Sequence, residues 1–335
     1  MKSILLSIIQ KKFPLTQRPF AKIADELNSD EETIIRVLQE EKDKKIIRQI
    51  SPIFDTKRLG YSSSLVSFKV KYEDINRAVK VINAHPGVSH NYEREHPFNI
   101  WFTLAVPPNS KLGINQTIEI LAREAKAIDY IVLPTLKLFK IAVRLNTTGD
   151  KRKKEEVKKA KVKDIKLTPL HYRVIEESQS DIPIIKEPFR DTIDRLDISY
   201  NEFFKILNEL KDAGVMRRFA GILNHRRAGF NANAMVVWDI DEKKSDEIGK
   251  KASEFSAVSH CYLRPKYPNW PYNLFTMIHG KTPEETNRTI KEIASEIEHF
   301  SRRPLYSTRE FKKVRIKYFS PKFEEWENRN LAIVN

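Results

Sequence analysis

The 335-residue chain holds one cysteine, Cys261, so neither an intrachain disulfide nor a cysteine-ligated zinc or iron–sulfur cluster can form. That scarcity fits a reducing compartment, and the expected location is the cytoplasm. Long apolar runs are missing as well: no stretch approaches the roughly 20 residues that a membrane helix needs. Ser3 to Ile9 is apolar for only a few residues before Lys11 and Lys12 and lacks a small-residue cleavage site, so it is not expected to be a signal peptide. Acids are outnumbered: 60 Lys and Arg against 45 Asp and Glu give a formal net charge of +15. Such a balance calls for an anionic partner, whether nucleic acid, phosphate or a polycarboxylate. Part of it is local, since Asp150 to Lys163 carries eight basic residues against three acids. The rest is spread along the chain, so charge alone does not choose the partner.

What the chain does have is an internal repeat. Ile46-Ile47-Arg48-Gln49-Ile50-Ser51-Pro52-Ile53-Phe54 pairs with Val215-Met216-Arg217-Arg218-Phe219-Ala220-Gly221-Ile222-Leu223. In the same register, Lys57-Arg58-Leu59-Gly60-Tyr61 pairs with Arg226-Arg227-Ala228-Gly229-Phe230. Val88-Ser89-His90-Asn91-Tyr92 pairs with Val258-Ser259-His260-Cys261-Tyr262, and Phe102-Thr103-Leu104 is matched to Phe275-Thr276-Met277.

Each half opens with helical spacing: Phe20, Ile23, Ala24 and Leu27, a break at Asn28 and Ser29, then Ile34, Ile35, Val37 and Leu38. Phe189, Ile193 and Leu196, a break at Asp197 to Ser199, then Phe203, Ile206, Leu207 and Leu210 repeat it. With a third helix before them, these describe a winged helix-turn-helix. A strand–helix–strand–strand–helix–strand order comes next. Val66, Phe68 and Val70 alternate as a strand; Ile75, Ala78, Val79 and Ile82 form a helix face; Val88 to Arg94 and Ile100 to Val106 form a hairpin. Ile114 to Ala125 is a helix and Tyr130 to Ile141 a closing strand region. Met235 to Ile240, Ile248 to Phe255, Val258 to Arg264, Leu274 to Ile278 and Thr286 to Ile297 repeat the order. The expected fold class is α+β, a tandem of winged helix-turn-helix and ferredoxin-like sandwich. The expected domains are helix-turn-helix units at 1–60 and 165–229, ferredoxin-like units at 61–148 and 230–320, a basic linker at 149–164 and a tail at 321–335.

This architecture resembles the Lrp/AsnC regulators, and the motifs narrow the resemblance. Arg217-Arg218-Phe219-Ala220-Gly221-Ile222-Leu223-Asn224-His225-Arg226-Arg227-Ala228-Gly229-Phe230 is similar to siroheme decarboxylases of the Ahb and Nir type. So are Val258 to Pro265 and Trp270-Pro271-Tyr272-Asn273-Leu274-Phe275-Thr276-Met277-Ile278-His279-Gly280. The first half carries the partner subunit's version in His90-Asn91-Tyr92 and Asn99-Ile100-Trp101-Phe102-Thr103, so two subunit types would be fused here. The resemblance implies a lyase that removes carbon dioxide from two acetate side chains of siroheme, giving 12,18-didecarboxysiroheme on an alternative haem or haem d1 route. It implies no added cofactor, because the iron belongs to the substrate, and no metal of the protein's own.

The residues can be weighed against that chemistry. Siroheme is a flat iron tetrapyrrole with eight carboxylates. Side chains at i, i+2 and i+4 share a strand face, which aligns Val88, His90, Tyr92 and Arg94, and likewise Val258, His260, Tyr262 and Arg264. One sheet face would meet its own helices; the other would leave a space between halves for a planar guest. Arginine binds carboxylate bidentately, which nominates Arg48, Arg94, Arg217, Arg218, Arg226, Arg227 and Arg264 as clamps. Tyr92, Trp101, Tyr262, Tyr267, Trp270, Tyr272 and Asn273 complete the expected substrate contacts. Decarboxylation needs an acid to protonate the carbon left behind, and His260, His90, His96 and His225 are the candidates. His260 or His90 could instead ligate the substrate iron. The halves are expected to pair within one chain or in a homodimer.

The rival reading is an Lrp/AsnC-type DNA-binding regulator. Asp30, Glu31 and Glu32 open the first recognition helix where phosphates would lie, and Tyr200 to Phe204 offers few base-reading cations, so DNA binding is not expected. A third reading is a haem- or amino-acid-sensing module without catalysis.

Overall fold

The structure, a computed structural model, describes residues 2–141, 164–223 and 232–334. His225, Arg226, Arg227 and nearly all of the basic segment 149–164 lie outside the described residues. Two compact units form. One takes the described residues of Met1–Tyr61, Ala160–Ala228 and Lys317–Pro321; the other takes those of Ser62–Lys159, Gly229–Ile316 and Lys322–Asn335. The two helix-turn-helix segments thus share one unit and the two ferredoxin-like segments the other, where the sequence suggests four separate domains.

In the first unit, α1 (Lys2–Lys11), α2 (Pro19–Glu26) and α3 (Glu31–Asp43) precede strand β1 (Ile47–Phe54). The short apolar start of the chain is explained by α1, which buries Leu5 and Ile9. Asn28, in the left-handed region at φ 50°, makes the turn between α2 and α3. The acids that open α3 have local work. Asp30 caps the helix through Oδ1 on the Thr33 N–H at 2.7 Å, Glu31 is buried against Arg18, and Glu32 pairs with Lys186 at 2.6 Å.

Elements α6 (Pro169–Ser178), α7 (Arg190–Leu196), α8 (Tyr200–Asp212) and β7 (Met216–Leu223) repeat this plan. The two wings β1 and β7 pair antiparallel with each other, Ile50 facing Gly221.

The second unit contains β2 (Ser62–Lys69), α4 (Ile75–Ala84), β3 (Val88–Arg94), β4 (Ile100–Val106), α5 (Gly113–Glu124), β5 (Asp129–Pro134) and β6 (Lys137–Ile141) from the first half. The second half supplies β8 (Ala232–Asp239), α9 (Ser245–Glu254), β9 (Val258–Leu263), β10 (Leu274–Gly280), α10 (Pro283–Glu296) and β11 (Ser301–Lys313), followed by α11 (Lys322–Val334). One sheet runs β5-β2-β4-β3-β11-β8-β10-β9-β6. Each half contributes the ferredoxin-like order and then lends its last strand to the other: β11 leaves β8 at Tyr306 and joins β3 from Ser307, while β5 pairs with β2 and β6 with β9. The halves therefore pair within one chain. Strands β5 and β6 stand at opposite ends of the strand order yet only Thr135 and Leu136 separate them. Three Cα steps span at most about 11 Å, so the sheet curls until its ends meet.

This curl gives the sheet an outer, helix-covered face and an inner one. Val66, Phe68, Val88, Ile100, Phe102 and Leu104 pack outward with α4 and α5 residues and Trp326 of α11. Trp238, Val258, Cys261, Leu274 and Ile278 pack outward with α9 and α10 residues. Residues 322–334 are a docked helix rather than the expected tail, with Glu327 accepting from Ser110 and from the Lys111 N–H.

Candidate functional site

Both histidine strands carry the same irregularity. In β3, Val88 faces Leu104 but His90 already faces Thr103; in β9, Val258 faces Ile278 but His260 already faces Met277. Ser89 and Ser259 are each the extra residue of a β-bulge, and a bulge re-aims the side chains beyond it. Strict alternation would have put Val88 with His90 and Val258 with His260. The bulge instead leaves the valines in the helix-side cores and turns His90, Tyr92, His260 and Tyr262 to the inner face, with Asn91 and Cys261 outward. The register also shifts the repeat by one residue: Trp101-Phe102-Thr103, not Phe102-Thr103-Leu104, is the partner of Phe275-Thr276-Met277.

Each bulge serine holds its neighbour's ring. Ser89 Oγ lies 2.9 Å from His90 Nδ1, and Ser259 Oγ lies 2.8 Å from His260 Nδ1. Each histidine is followed along the strand by a stacked tyrosine, ring centroids 6.2 Å apart for His90–Tyr92 and 6.1 Å for His260–Tyr262. Each tyrosine in turn lies beside an arginine, at 5.6 Å for Arg94 and 4.9 Å for Arg264. The histidines and tyrosines are half-buried and the arginines are buried. Arg94 donates to the Leu305 carbonyl at 2.6 Å and Arg264 to the Leu133 carbonyl, so each guanidinium crosses to the other half's closing strand. Neither has a carboxylate partner among the described residues, and both Nε–H groups are buried without an acceptor. Burial pulls both guanidinium pKa values down to about 10, which still leaves them cationic at neutral pH.

The centre of the inner face is filled. Trp101 and Trp270 are each 1% exposed, 5.2 Å apart by ring centroids, and packed with Phe98, Leu133, Val237, Phe275 and Leu305. Two residues expected to cover a flat guest are therefore core, and the expected open gap between the sheets is closed there. Trp101 Nε1 donates to the Phe98 carbonyl at 2.7 Å, whereas Trp270 Nε1 has no acceptor among the described residues. Tyr272 sits edge-on to Trp270, and Tyr267 donates its hydroxyl to the Val132 carbonyl at 2.5 Å.

Asn273, expected to touch substrate, is a backbone clamp instead. Its Oδ1 accepts the Ile240 N–H at 3.0 Å and its Nδ2 donates to the Ile240 carbonyl at 3.1 Å, as Asn99 does with Val70.

His96 is a poor acid. Burial, and then the Arg303 charge, push its pKa down to about 4, and its Nδ1 accepts the Phe98 N–H at 3.0 Å. A ring that is neutral at pH 7 does not donate a proton as imidazolium. Cys261 is buried, its thiol pushed up to about 12 by desolvation, so it offers no thiolate.

Arg48, Arg217 and Arg218 stand on the wing strands of the helix-turn-helix unit. Arg217 is committed to Asp55 through Nε and Nη2 at 3.1 and 2.9 Å. A surface groove of about 480 Å³ between α10 and β11, lined by Asn287, Lys291, His299, Phe300 and Arg302, contains none of the expected site residues. No helix among the described residues is long and apolar enough to cross a membrane.

The residue that sequence reasoning passes over is His279. Its Nε2 lies 2.6 Å from Ser259 Oγ and its Nδ1 2.6 Å from Asn233 Oδ1, which joins His260, Ser259, His279 and Asn233 in one row. The available signal is parity: His279 stands two residues beyond Met277 on β10 and so shares its inner face.

Comparison with known proteins agrees with this architecture. A model of the AsnC-like ligand binding domain matches residues 58–140 and 227–312, and one of the siroheme decarboxylase NirDL-like HTH domain matches residues 2–48 and 172–217. A siroheme decarboxylase of Hydrogenobacter thermophilus is 41% identical over 322 residues, 96% of each chain. The siroheme decarboxylase beta subunit of Methanosarcina barkeri is 41% identical over 139 residues, 42% of this chain and 91% of the subunit. The crystal structure of the siroheme decarboxylase NirDL with an iron-uroporphyrin III analogue superposes with a TM-score of 0.79 at 36% identity, covering 99% of both chains. A chain that carries both duplicated modules and aligns end to end with such relatives belongs to the siroheme decarboxylase family, in its fused single-chain form.

Proposed function

We propose that the chain is a carbon–carbon lyase of the cytoplasm that removes two acetate carboxyl groups from siroheme without oxidation, giving 12,18-didecarboxysiroheme. The observation that carries this reading is the duplicated Ser-His-x-Tyr-x-Arg row, turned inward by a bulge in each half. Arg94 and Arg264 place two buried positive charges beside the tyrosines, and the inner face next to them attracts carboxylate. Arg48, Arg217, Arg218, Arg226 and Arg227 remain the further candidates for carboxylate recognition, whose bidentate geometry suits guanidinium.

The chemistry asks little else of the protein. When the acetate carbon–carbon bond breaks, its electron pair remains on the methylene carbon and is delocalised into the tetrapyrrole, so the substrate is its own electron sink. The protein must shield the reacting acetate from water and deliver one proton per carbon dioxide lost. His260 and His90 are the assigned donors, each oriented by its bulge serine; either could in place of this ligate the substrate iron. No further cofactor is required, and the iron enters with the substrate. DNA binding is not part of this reading, because the acids that open α3 are held by the fold at the place where phosphates would dock.

Anaerobic incubation of the purified chain with siroheme, read by mass, tests the proposal. Loss of two carbon dioxide units is expected. Tight binding with the mass unchanged would make the protein a sensor, and a salt-dependent, site-specific DNA shift would make it a regulator.

A further inference from the structure

The two histidine stations share a bulge but not the groups behind it. In the first half, Ser89 Oγ turns to Thr103 Oγ1 at 2.7 Å, and the position paired with Ser63 on β2 is Ala105. In the second half the matching position, paired with Asn233 on β8, is His279. Ser259 therefore lies between two imidazoles, 2.8 Å from His260 Nδ1 and 2.6 Å from His279 Nε2, with a longer 3.4 Å contact to the Met277 carbonyl.

The proton inventory of this row is restrictive. Asn233 Oδ1 can only accept, so His279 keeps a proton on Nδ1. A serine hydroxyl has one proton to give. When His279 is neutral, Ser259 donates to its Nε2 and must accept from His260 Nδ1. When His279 is protonated, its Nε2–H donates to Ser259, the Ser259 hydroxyl donates to His260 Nδ1, and His260 carries its proton on Nε2. The charge on His279 thus selects the tautomer of His260.

We infer that His279 is the proton reservoir of the second-half station and that Ser259 is the wire that reloads His260. This inference rests on the decarboxylase reading. The step balances without an oxidant. The bond between the acetate methylene and its carboxylate breaks, carbon dioxide leaves, and the electron pair stays on the methylene carbon. His260 Nε2–H passes to that carbon to make a methyl group, His260 Nδ1 takes the Ser259 proton, and Ser259 takes the Nε2 proton of His279. One proton is consumed and the imidazolium on His279 becomes neutral. Thr103, ending the first-half row, is a hydroxyl and holds no such proton, so the two stations are chemically unequal.

Among the described residues, the titratable and charged groups on the strands flanking His279 are few. Strand β9 offers His260, Tyr262 and, beyond its end, Arg264; β8 offers none near Asn233. Lys140 of β6 points to the helix side, its Nζ on the Phe255 carbonyl at 3.0 Å. Helices α9 and α10 lie on that same outer face.

The test uses the full-length chain with siroheme under anaerobic conditions, comparing His279→Ala, which copies the first half, with His279→Gln, which keeps hydrogen bonds but carries no transferable proton. Both are expected to lower kcat roughly 10- to 100-fold with KM little changed. A third variant, Asn233→Asp, places a carboxylate against the imidazolium, raises its pKa and should move the alkaline fall of kcat up by about one pH unit. Wild-type kcat in His279→Gln, a loss confined to KM, or an unmoved alkaline limb in Asn233→Asp would each overturn the relay. A wild-type chain that leaves the mass of siroheme unchanged would defeat the decarboxylase reading as well, whereas an active wild type matched by both His279 variants defeats the relay alone.

Discussion

The two ferredoxin-like halves run the same backbone programme and differ in the side chains they set behind it. Both bulge at a serine, both stack a tyrosine on the histidine, and both send a buried arginine to the other half's closing strand. Both fix the start of their third strand with an asparagine that grips one residue's N–H and carbonyl. The first half then places Thr103 and Ala105 where the second places Met277 and His279. The parts that hold shape and charge are alike in both halves, while among the described residues an imidazole behind the bulge serine stands in the second half alone.

The largest expected effect tests that division directly. His260→Ala should lower siroheme turnover roughly 100-fold or more, in the range general acids contribute, while His90→Ala should lower it about tenfold with more effect on KM. Steady-state rates with mass analysis of the singly and doubly decarboxylated products decide it. Equal losses in kcat would mean that the halves are equivalent donors and that the asymmetry behind them is idle.

Gly87 and Ala257 sharpen the comparison at the level of stability. They are matched positions, each accepting a β4 or β10 backbone N–H: Ala105 N to Gly87 O at 3.0 Å and His279 N to Ala257 O at 3.1 Å. A Cβ on Gly87 would stand 1.8 Å from the Ala105 carbonyl oxygen, which cannot yield without moving the strand. Gly87→Ala should therefore cost about 3 kcal/mol in urea unfolding, at the upper end of overpacking effects. Ala257→Gly should cost less than about 1 kcal/mol.

The asparagines give the symmetrical control. Asn99→Ala and Asn273→Ala each remove two hydrogen bonds to one residue's backbone, part-buried at Val70 and buried at Ile240, and each should destabilise by about 2 kcal/mol. A rise in KM for Asn273→Ala without loss of stability would return Asn273 to the substrate site.

Much of this plan is legible in the sequence, and the failures have physical causes. Helices α2, α3, α7 and α8 and the paired-strand order follow from apolar period, and the register of His-x-Tyr-x-Arg survives because it lies wholly beyond the bulge. The bulge itself is invisible to a period of two, which assigns Val88 and Val258 the wrong face. Strand β11 escapes the pattern because all but Leu305 among Ser301–Lys313 is at least partly exposed, which leaves no apolar alternation to mark a strand. The role of Trp101 and Trp270 is misjudged because a sequence shows an aromatic's size but not whether the other half of the sheet already covers it. His279 looks like a lone strand histidine; only the neighbouring serine's orientation reveals its connection to His260.

The smallest effect concerns a histidine with no counterpart. His85 precedes Gly87 in the first half where the second half has Phe255, two residues before Ala257. It is 2% exposed, its Nδ1 accepts the Gly87 N–H at 2.9 Å, and its ring meets Trp326 at 4.4 Å. Burial, aided by the Lys312 charge, pushes its pKa down to about 3. A histidine whose folded pKa is depressed stabilises the fold in its neutral form. That contribution is complete above the unfolded value near 6.5 and is lost as pH falls toward the folded value. Between pH 6.5 and 5.5 the loss amounts to about 1 kcal/mol. His85→Phe, which copies the second half, forfeits the Gly87 bond and starts less stable, but it removes this proton linkage. Urea midpoints measured at the two pH values should therefore fall further for the wild type than for the variant. Parallel falls would show that His85 titrates alike in the folded and unfolded chain, and that the histidine and the phenylalanine are equivalent packing solutions.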